Sequence, residues 1–148
     1  MRRFLALLAL LGGAAPALVV PLRGWTPIAG DASRWQGGGG ECLIREMRHT
    51  QPFPAMPTQQ RATAVANRLR ASLGKAGMGE VTTQPVDRGA AWAVLAGYVY
   101  EEAGARYRVS QLYLSEGGRL RTVSASSAVG TVSPCAASMR DFIRYQAQ

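Results

Sequence analysis

The chain has 148 residues, of which 47% are hydrophobic and 18% are charged. This composition can supply the core of one globular domain, and it argues against a wholly disordered chain. The formal net charge is +8, from 17 basic and 9 acidic residues, which favours anionic partners such as nucleic acid, anionic lipid or an acidic protein surface. The alternative is a soluble basic domain whose positive charge has no role in binding a partner.

The first 17 residues have the pattern of a secretory signal peptide. Residues 1–3 include two arginines, residues 4–11 are apolar, and residues 12–17 are small and contain the cleavage pattern Ala15-x-Ala17. We therefore predict cleavage after Ala17 and a periplasmic or secreted location. An uncleaved N-terminal anchor is the alternative, and it would associate the protein with a membrane.

Residues 18–40 are predicted to form a flexible leader. They carry a proline or a glycine every few positions and end in four consecutive glycines, and both residue types interrupt regular structure. Trp25 and Trp35 are expected to pack back onto the rest of the protein. Residues 41–148 are predicted to form a single α+β domain.

Two helices are predicted from their capping residues and apolar spacing. The first covers residues 58–76, with Thr58 as the N-cap and Gly77 as the stop. The second begins at Ser133, where serine caps the helix and Pro134 takes its first position. The apolar face of the first helix consists of residues at helical spacing, namely Ala62, Val65, Ala66, Leu69, Leu73 and Ala76.

The strands are predicted from runs of aromatic and β-branched residues separated by glycine-bearing turns. A first strand covers residues 41–47 and a second covers residues 80–86. A three-strand antiparallel meander follows at residues 90–100, 105–114 and 119–127. Both faces of its first strand are apolar, which indicates a central position. We therefore predict a mostly antiparallel sheet of four to five strands with two helices on one face, in the order β-α-β-β-β-β-α.

Cys42 and Cys135 are the only cysteines in the sequence. Because exported compartments are oxidising, we predict a disulfide between them, with two buried free thiols as the alternative. Such a bond would constrain the unfolded chain by about 4–5 kcal/mol in the loop-entropy description. His49 is the only histidine and is predicted to be a surface residue, so no metal site or cofactor is expected.

Four stretches of the sequence resemble one family of envelope domains. They are the spaced small and apolar residues of 62–73, the glycine-bearing strand entry of 77–81, the apolar-Gly-apolar strand of 93–99, and the hairpin of 107–118. The family includes the TolB amino-terminal domain, the curli-secretion lipoprotein and the lipoprotein activators of penicillin-binding proteins. The resemblance implies a non-enzymatic protein that binds other envelope proteins. The lipid-bearing cysteine of the anchored members is absent, and no functional residues are carried over.

No catalytic constellation is visible in the sequence. Enzymatic sites need a nucleophile with a base, paired carboxylates or a metal set, and the single histidine lies in a proline-rich stretch without a motif around any serine. We therefore predict that the protein is not an enzyme.

Arginines and tyrosines of the meander form the candidate binding surface, because both residue types are enriched at interfaces. The candidate residues are Tyr98, Tyr100, Tyr107, Tyr113, Arg106, Arg108, Arg119 and Arg121. The alternative is that strand alternation separates them, with the tyrosines packed in the half-core and the arginines solvated on the opposite face.

Three functions follow from these observations. The first is an exported, non-catalytic domain that binds another cell-envelope component, either an envelope protein or an anionic envelope polymer. The second is a periplasmic inhibitor or immunity-type protein directed against a toxin or a lytic enzyme. The third is a nucleic-acid-binding sheet in a chain that is not exported, with tyrosines stacking on bases and arginines holding phosphates. The predicted signal peptide argues against the third.

Overall fold

The computed structural model describes residues 18–148, and the predicted signal peptide lies outside them. In this part of the chain seven antiparallel strands form one sheet with two helices, which gives an α+β fold. The strands are β1 (Thr26–Ile28), β2 (Asp31–Gly37), β3 (Cys42–Pro52), β4 (Gly79–Asp87), β5 (Trp92–Glu102), β6 (Ala105–Glu116) and β7 (Arg119–Ala128). The helices are α1 (Gln59–Lys75) and α2 (Pro134–Gln146), and a short 3-10 helix, Gly38–Gly40, joins β2 to β3. The spatial order of the strands is β1-β2-β3-β7-β6-β5-β4.

The predicted number and order of strands are wrong, because residues 18–40 contribute two strands. β2 pairs with β3 from Arg34 opposite Arg45 to Gly37 opposite Cys42. Trp25 is buried against the backbone of Gly37, where an added Cβ would lie 2.5 Å from the indole ring. The Nε1 of Trp35 donates a hydrogen bond of 3.1 Å to the carbonyl of Leu18. Tertiary packing of the two tryptophans therefore orders a segment whose composition alone favours flexibility.

The prediction that both helices pack on one face of the sheet is also wrong. Residues of α1 share a core cluster with Val94 and Ala96, whereas residues of α2 share a different cluster with Ala93. Adjacent residues of a strand point to opposite faces, so the two helices lie on opposite faces of the sheet, with α2 mainly over β3, β6 and β7. The physical reason is that β5 is apolar on both faces, and each face needs its own cover.

The ends of both helices are set by the capping residues that the sequence indicates. The hydroxyl of Thr58 accepts a hydrogen bond from the backbone N–H of Arg61 at 3.3 Å, and α1 ends before Gly77, which has φ +83°. The hydroxyl of Ser133 accepts from the backbone N–H of Cys135 at 3.4 Å, with Pro134 in the first helical position. These side chains satisfy backbone groups that the helix itself leaves unpaired.

The α2 side of the sheet is covered by α2 and by the N-terminal segment. Leu18, Val20 and Trp25 join Phe142 and Ile143 of the helix in one buried cluster. The predicted disulfide is confirmed: Cys42 of β3 is bonded to Cys135 in the first turn of α2, across 93 residues and a Cα–Cα distance of 6.1 Å. The bond fixes α2 to the sheet on this side.

Both edges of the sheet are short or interrupted. β1 has only three residues. β4 contains Pro85, which has no N–H to donate, and its pairing with β5 shifts register between Gly79 and Thr82. Within that irregularity Glu80 has φ +49°. The outer strands β1 and β4 therefore present only short or irregular rows of unpaired backbone groups, while the part of β3 after Arg45 extends beyond its pairing with β2.

Candidate functional site

The α1 side of the sheet is only partly covered. α1 packs against β4 and β5, and the remaining surface beside it forms a shallow cavity of about 330 Å³. We call this surface the open face and define it by the residues that line the cavity. They are Leu43, Arg45, Met47, Met78, Tyr98, Tyr100, Val109, Gln111, Thr122, Ser124 and Ser126. The open face therefore draws on β3, β5, β6 and β7 and on Met78, which lies between α1 and β4.

The lining of the open face is amphipathic. Its apolar part contains thioether, aliphatic and aromatic side chains, including Met47, which is 37% exposed. Its polar part contains a row of hydroxyls at every second position of β7, namely Thr122, Ser124 and Ser126. Because these hydroxyl side chains are small, they leave room above the strand. A site of this kind can hold an apolar group while hydrogen-bonding a polar neighbour.

Gln111 joins two of the predicted tyrosines. The hydroxyl of Tyr98 donates to Gln111 Oε1 at 2.7 Å, and the hydroxyl of Tyr113 donates to the same oxygen at 3.3 Å. Burial raises the pKa of Tyr113 to about 12, with the neighbouring Tyr98 adding to the rise. Burial also raises the pKa of Tyr98, with Tyr100 adding to it. Both phenols are therefore neutral hydrogen-bond donors near neutral pH and are poorly suited to act as bases.

The other two tyrosines form a stacked cross-strand pair. Tyr100 and Tyr107 face each other in the register of β5 and β6, with ring centroids 5.2 Å apart and an interplanar angle of 24°. Burial, followed by the charge of Glu102, raises the pKa of Tyr100. Such a pair adds about 0.5–1.5 kcal/mol beyond its buried area and holds both rings in fixed positions. All four tyrosines therefore lie on the α1 side, although only Tyr98 and Tyr100 line the cavity.

The four predicted arginines lie on the other side of the sheet. Arg106 and Arg108 alternate with Tyr107 along β6, and Arg121 pairs in register with Leu114, a member of the α2-side cluster. Arg119 shares the face of Arg121 because it lies two positions away on β7. The structure thus brings the tyrosines together and separates them from the arginines. This agrees with the alternative in which strand alternation places the two residue types on opposite faces of the sheet.

Three of these arginines are held in ion pairs. Arg108 Nη2 lies 2.9 Å from Glu80 Oε2. Arg121 Nε lies 3.1 Å from Oε1 of the buried Glu46, and Arg121 Nη1 lies 3.1 Å from Oε2 of the exposed Glu116. Arg106 is 3.7 Å from Glu101. Their positive charge is therefore largely matched within the protein, which makes them weak candidates for an anionic ligand.

Sequence reasoning missed most of the open face. Leu43 and Met47 of β3 and Met78 of the turn after α1 come from two separated parts of the chain, and only the fold brings them together. The alternating hydroxyls of β7 were a usable signal, because small polar side chains at every second position predict a solvated strand face. Gln111 was equally visible as the one amide among the aromatic residues of β6.

His49 is half-buried, and its Nε2 forms a hydrogen bond of 3.1 Å with the hydroxyl of Thr122. The prediction of a surface position is therefore only partly right. Within residues 18–148, no group of three or more histidine, cysteine, aspartate or glutamate side chains is placed to hold a metal ion. None of the helices formed by these residues is both long and apolar enough to cross a membrane.

Comparisons with protein-family models, with curated proteins and with solved structures gave no match to this chain.

Proposed function

We propose that the protein is an exported, non-catalytic domain that binds another cell-envelope component, and that the open face is its binding surface. The partner that best fits this face is an envelope protein that offers an apolar side chain next to free backbone or amide groups. Met47, Tyr98 and Tyr100 would contact the apolar group. The amide nitrogen of Gln111 and the hydroxyls of Ser124 and Ser126 would hydrogen-bond the polar ones.

Two observations support the export part of the proposal. The disulfide between Cys42 and Cys135 is compatible with an oxidising compartment, since cytosolic thiols are normally kept reduced. The first 17 residues have the pattern of a signal peptide. The resemblance of residues 41–127 to envelope domains that bind other envelope proteins agrees with this location.

The open face is the single observation that carries the binding part. The α2 side buries its apolar residues under a helix and the N-terminal segment, but Leu43, Met47 and Tyr98 keep part of their surface in contact with solvent. Partly exposed apolar groups set beside hydrogen-bonding side chains are typical of binding sites. The fixed positions of Tyr98 and Tyr100 reduce the entropy that is lost when a partner is bound.

The test is site-specific photo-crosslinking in the native host. A photoreactive residue at Met47 is expected to capture a discrete envelope protein, whereas the same residue at Val132, which is 98% exposed and outside the cavity, is expected to capture none. The double variant Tyr98→Ala/Gln111→Ala should then weaken binding to the purified partner at least about tenfold, equal to about 1.4 kcal/mol. Equal capture at both positions, or unchanged affinity in the double variant, would contradict the proposal.

The export part has its own test. The unreduced protein from its native host should have the mass of a chain that starts at Leu18 and lacks two hydrogens. A full-length mass with two free thiols would contradict export and leave the open face without an envelope partner.

A further inference from the structure

Helix α1 carries an uncompensated positive charge. Its sequence between Gln59 and Lys75 contains three arginines and one lysine but no acidic residue. All four basic side chains, Arg61, Arg68, Arg70 and Lys75, belong to exposed residues. Acidic residues three or four positions from these basic residues would pair with them and stabilise the helix. The sequence of α1 has none.

Acidic residues elsewhere in the protein do not compensate this charge. Among residues 18–148, the carboxylates in ion pairs are those of Asp31, Glu46, Glu80, Glu101, Glu116 and Asp141. Their partners lie on β2, β3, β6, β7 and α2, and none lies on α1. The sheet arginines are therefore mostly paired, and the helix cations are not.

Three of the four cations form a straight row. Arg61, Arg68 and Lys75 are seven positions apart, so each lies nearly in line with the next along the helix axis. The row spans about 21 Å, at a rise of about 1.5 Å per residue. It runs beside the stripe that Ala62, Val65 and Ala66 bury against the sheet. The cations therefore hold a fixed direction relative to the domain.

We propose that this row binds a linear phosphate-bearing polymer of the cell envelope; this inference rests on the export part of the proposed function but not on the open face. A line of cations about 21 Å long matches an extended chain of anions. Arginine also holds phosphate oxygens through two parallel hydrogen bonds. A membrane surface fits less well, because helices that lie in a bilayer interface present large apolar residues to it. The exposed large apolar residues of 18–148 are Val19, Met47, Val129, Val132 and Tyr145, none of them on α1.

The experiment measures binding of the full mature chain to linear inorganic polyphosphate as a function of salt. The triple variant Arg61→Gln/Arg68→Gln/Lys75→Gln is expected to bind at least about tenfold more weakly at 50 mM salt and to reduce the slope of log K against log salt by about 2. The matched control is Arg23→Gln/Arg119→Gln/Arg140→Gln. It removes the same charge from three exposed residues outside α1 that form no ion pair with residues 18–148.

Equal losses in the two triple variants would overturn the proposal, because only the net charge would then matter. Stronger binding to phosphatidylglycerol vesicles than to polyphosphate would overturn it in favour of a membrane surface. A thymidine oligomer of equal charge that binds over tenfold more tightly than polyphosphate would overturn it in favour of nucleic acid. Loss of polyphosphate binding in the α1 variant with unchanged crosslinking at Met47 would support this inference separately from the proposed function.

Discussion

The two sides of the sheet differ in how completely they are covered. The α2 side is closed by a helix, by the N-terminal segment and by a disulfide, and its side chains include fully buried residues such as Ile44 and Leu112. The α1 side is closed by α1 over β4 and β5 and by the loop residues Phe53 and Met56, which join the same core cluster, and the remainder is the open face. The proposed function therefore places binding on the less completely covered side of the sheet. Substitutions on the α2 side should change folding, and those on the open face should change binding.

The largest expected effect comes from the disulfide. The double variant Cys42→Ser/Cys135→Ser should lose about 4–5 kcal/mol of unfolding free energy, because the bond closes a loop of 93 residues in the unfolded chain. This corresponds to a decrease in Tm of about 10–20 °C, measured by calorimetry. A reducing agent should lower the Tm of the parent protein but not that of the variant. A Tm within about 3 °C of the parent would show that the α2 side does not depend on this bond.

The second effect concerns the N-terminal segment. Trp25→Ala should cost about 3–5 kcal/mol of unfolding free energy, since it removes a buried indole from the α2-side core. Trp92→Ala is the matched control, because Trp92 is half-buried and packs on the α1 side. Denaturant unfolding compares the two variants. Little or no loss in Trp25→Ala would mean that the packing of residues 18–40 contributes little to the stability of the domain.

The third effect is a pH dependence that belongs to the α1 side. The pKa of Tyr113 in the folded protein is about 12, above the ordinary value of about 10, so the folded state holds this proton more tightly. The stabilisation is present below about pH 10 and is lost as the pH rises toward 12. Tyr113→Phe should flatten the decline of unfolding free energy between these values in urea titrations. If the free energy of unfolding declined with pH as steeply in the variant as in the parent, groups other than Tyr113 would cause the decline.

The smallest effect is expected on the open face itself. Tyr98→Phe removes one of the two hydroxyls that donate to Gln111 and should change the unfolding free energy by about 1 kcal/mol or less. Urea unfolding measures this change, with Tyr98→Ala as a larger perturbation of the same position. A loss above about 2 kcal/mol would mean that the open face is part of the structural core.

The local features of the fold were predictable because they depend on neighbouring residues. Thr58, Gly77 and the Ser133-Pro134 pair define helix ends through short-range hydrogen bonds and backbone conformation. The pairing of Cys42 with Cys135 followed from there being only two cysteines in a chain whose sequence predicts export. Each of these inferences needed no knowledge of which strands are adjacent.

The features that were missed depend on long-range packing. The strands of residues 18–40 form because Trp25 and Trp35 pack against other parts of the protein. The glycine content of this segment does not predict such packing. The placement of the helices was predictable in principle, because a strand that is apolar on both faces requires cover on both. The open face could not be found as a unit, since Met47, Met78 and Gln111 meet only after β3, β6 and the end of α1 are assembled.

The short or interrupted outer strands of the sheet affect how copies of the protein associate at high concentration. Edge-to-edge pairing of sheets from different copies needs a long, flat strand whose backbone groups are unpaired along its length. The three-residue β1 and the proline and bulge of β4 deny such a strand to an incoming copy at the two outer strands. We therefore expect little pairing between copies through β1 or β4 in concentrated solutions.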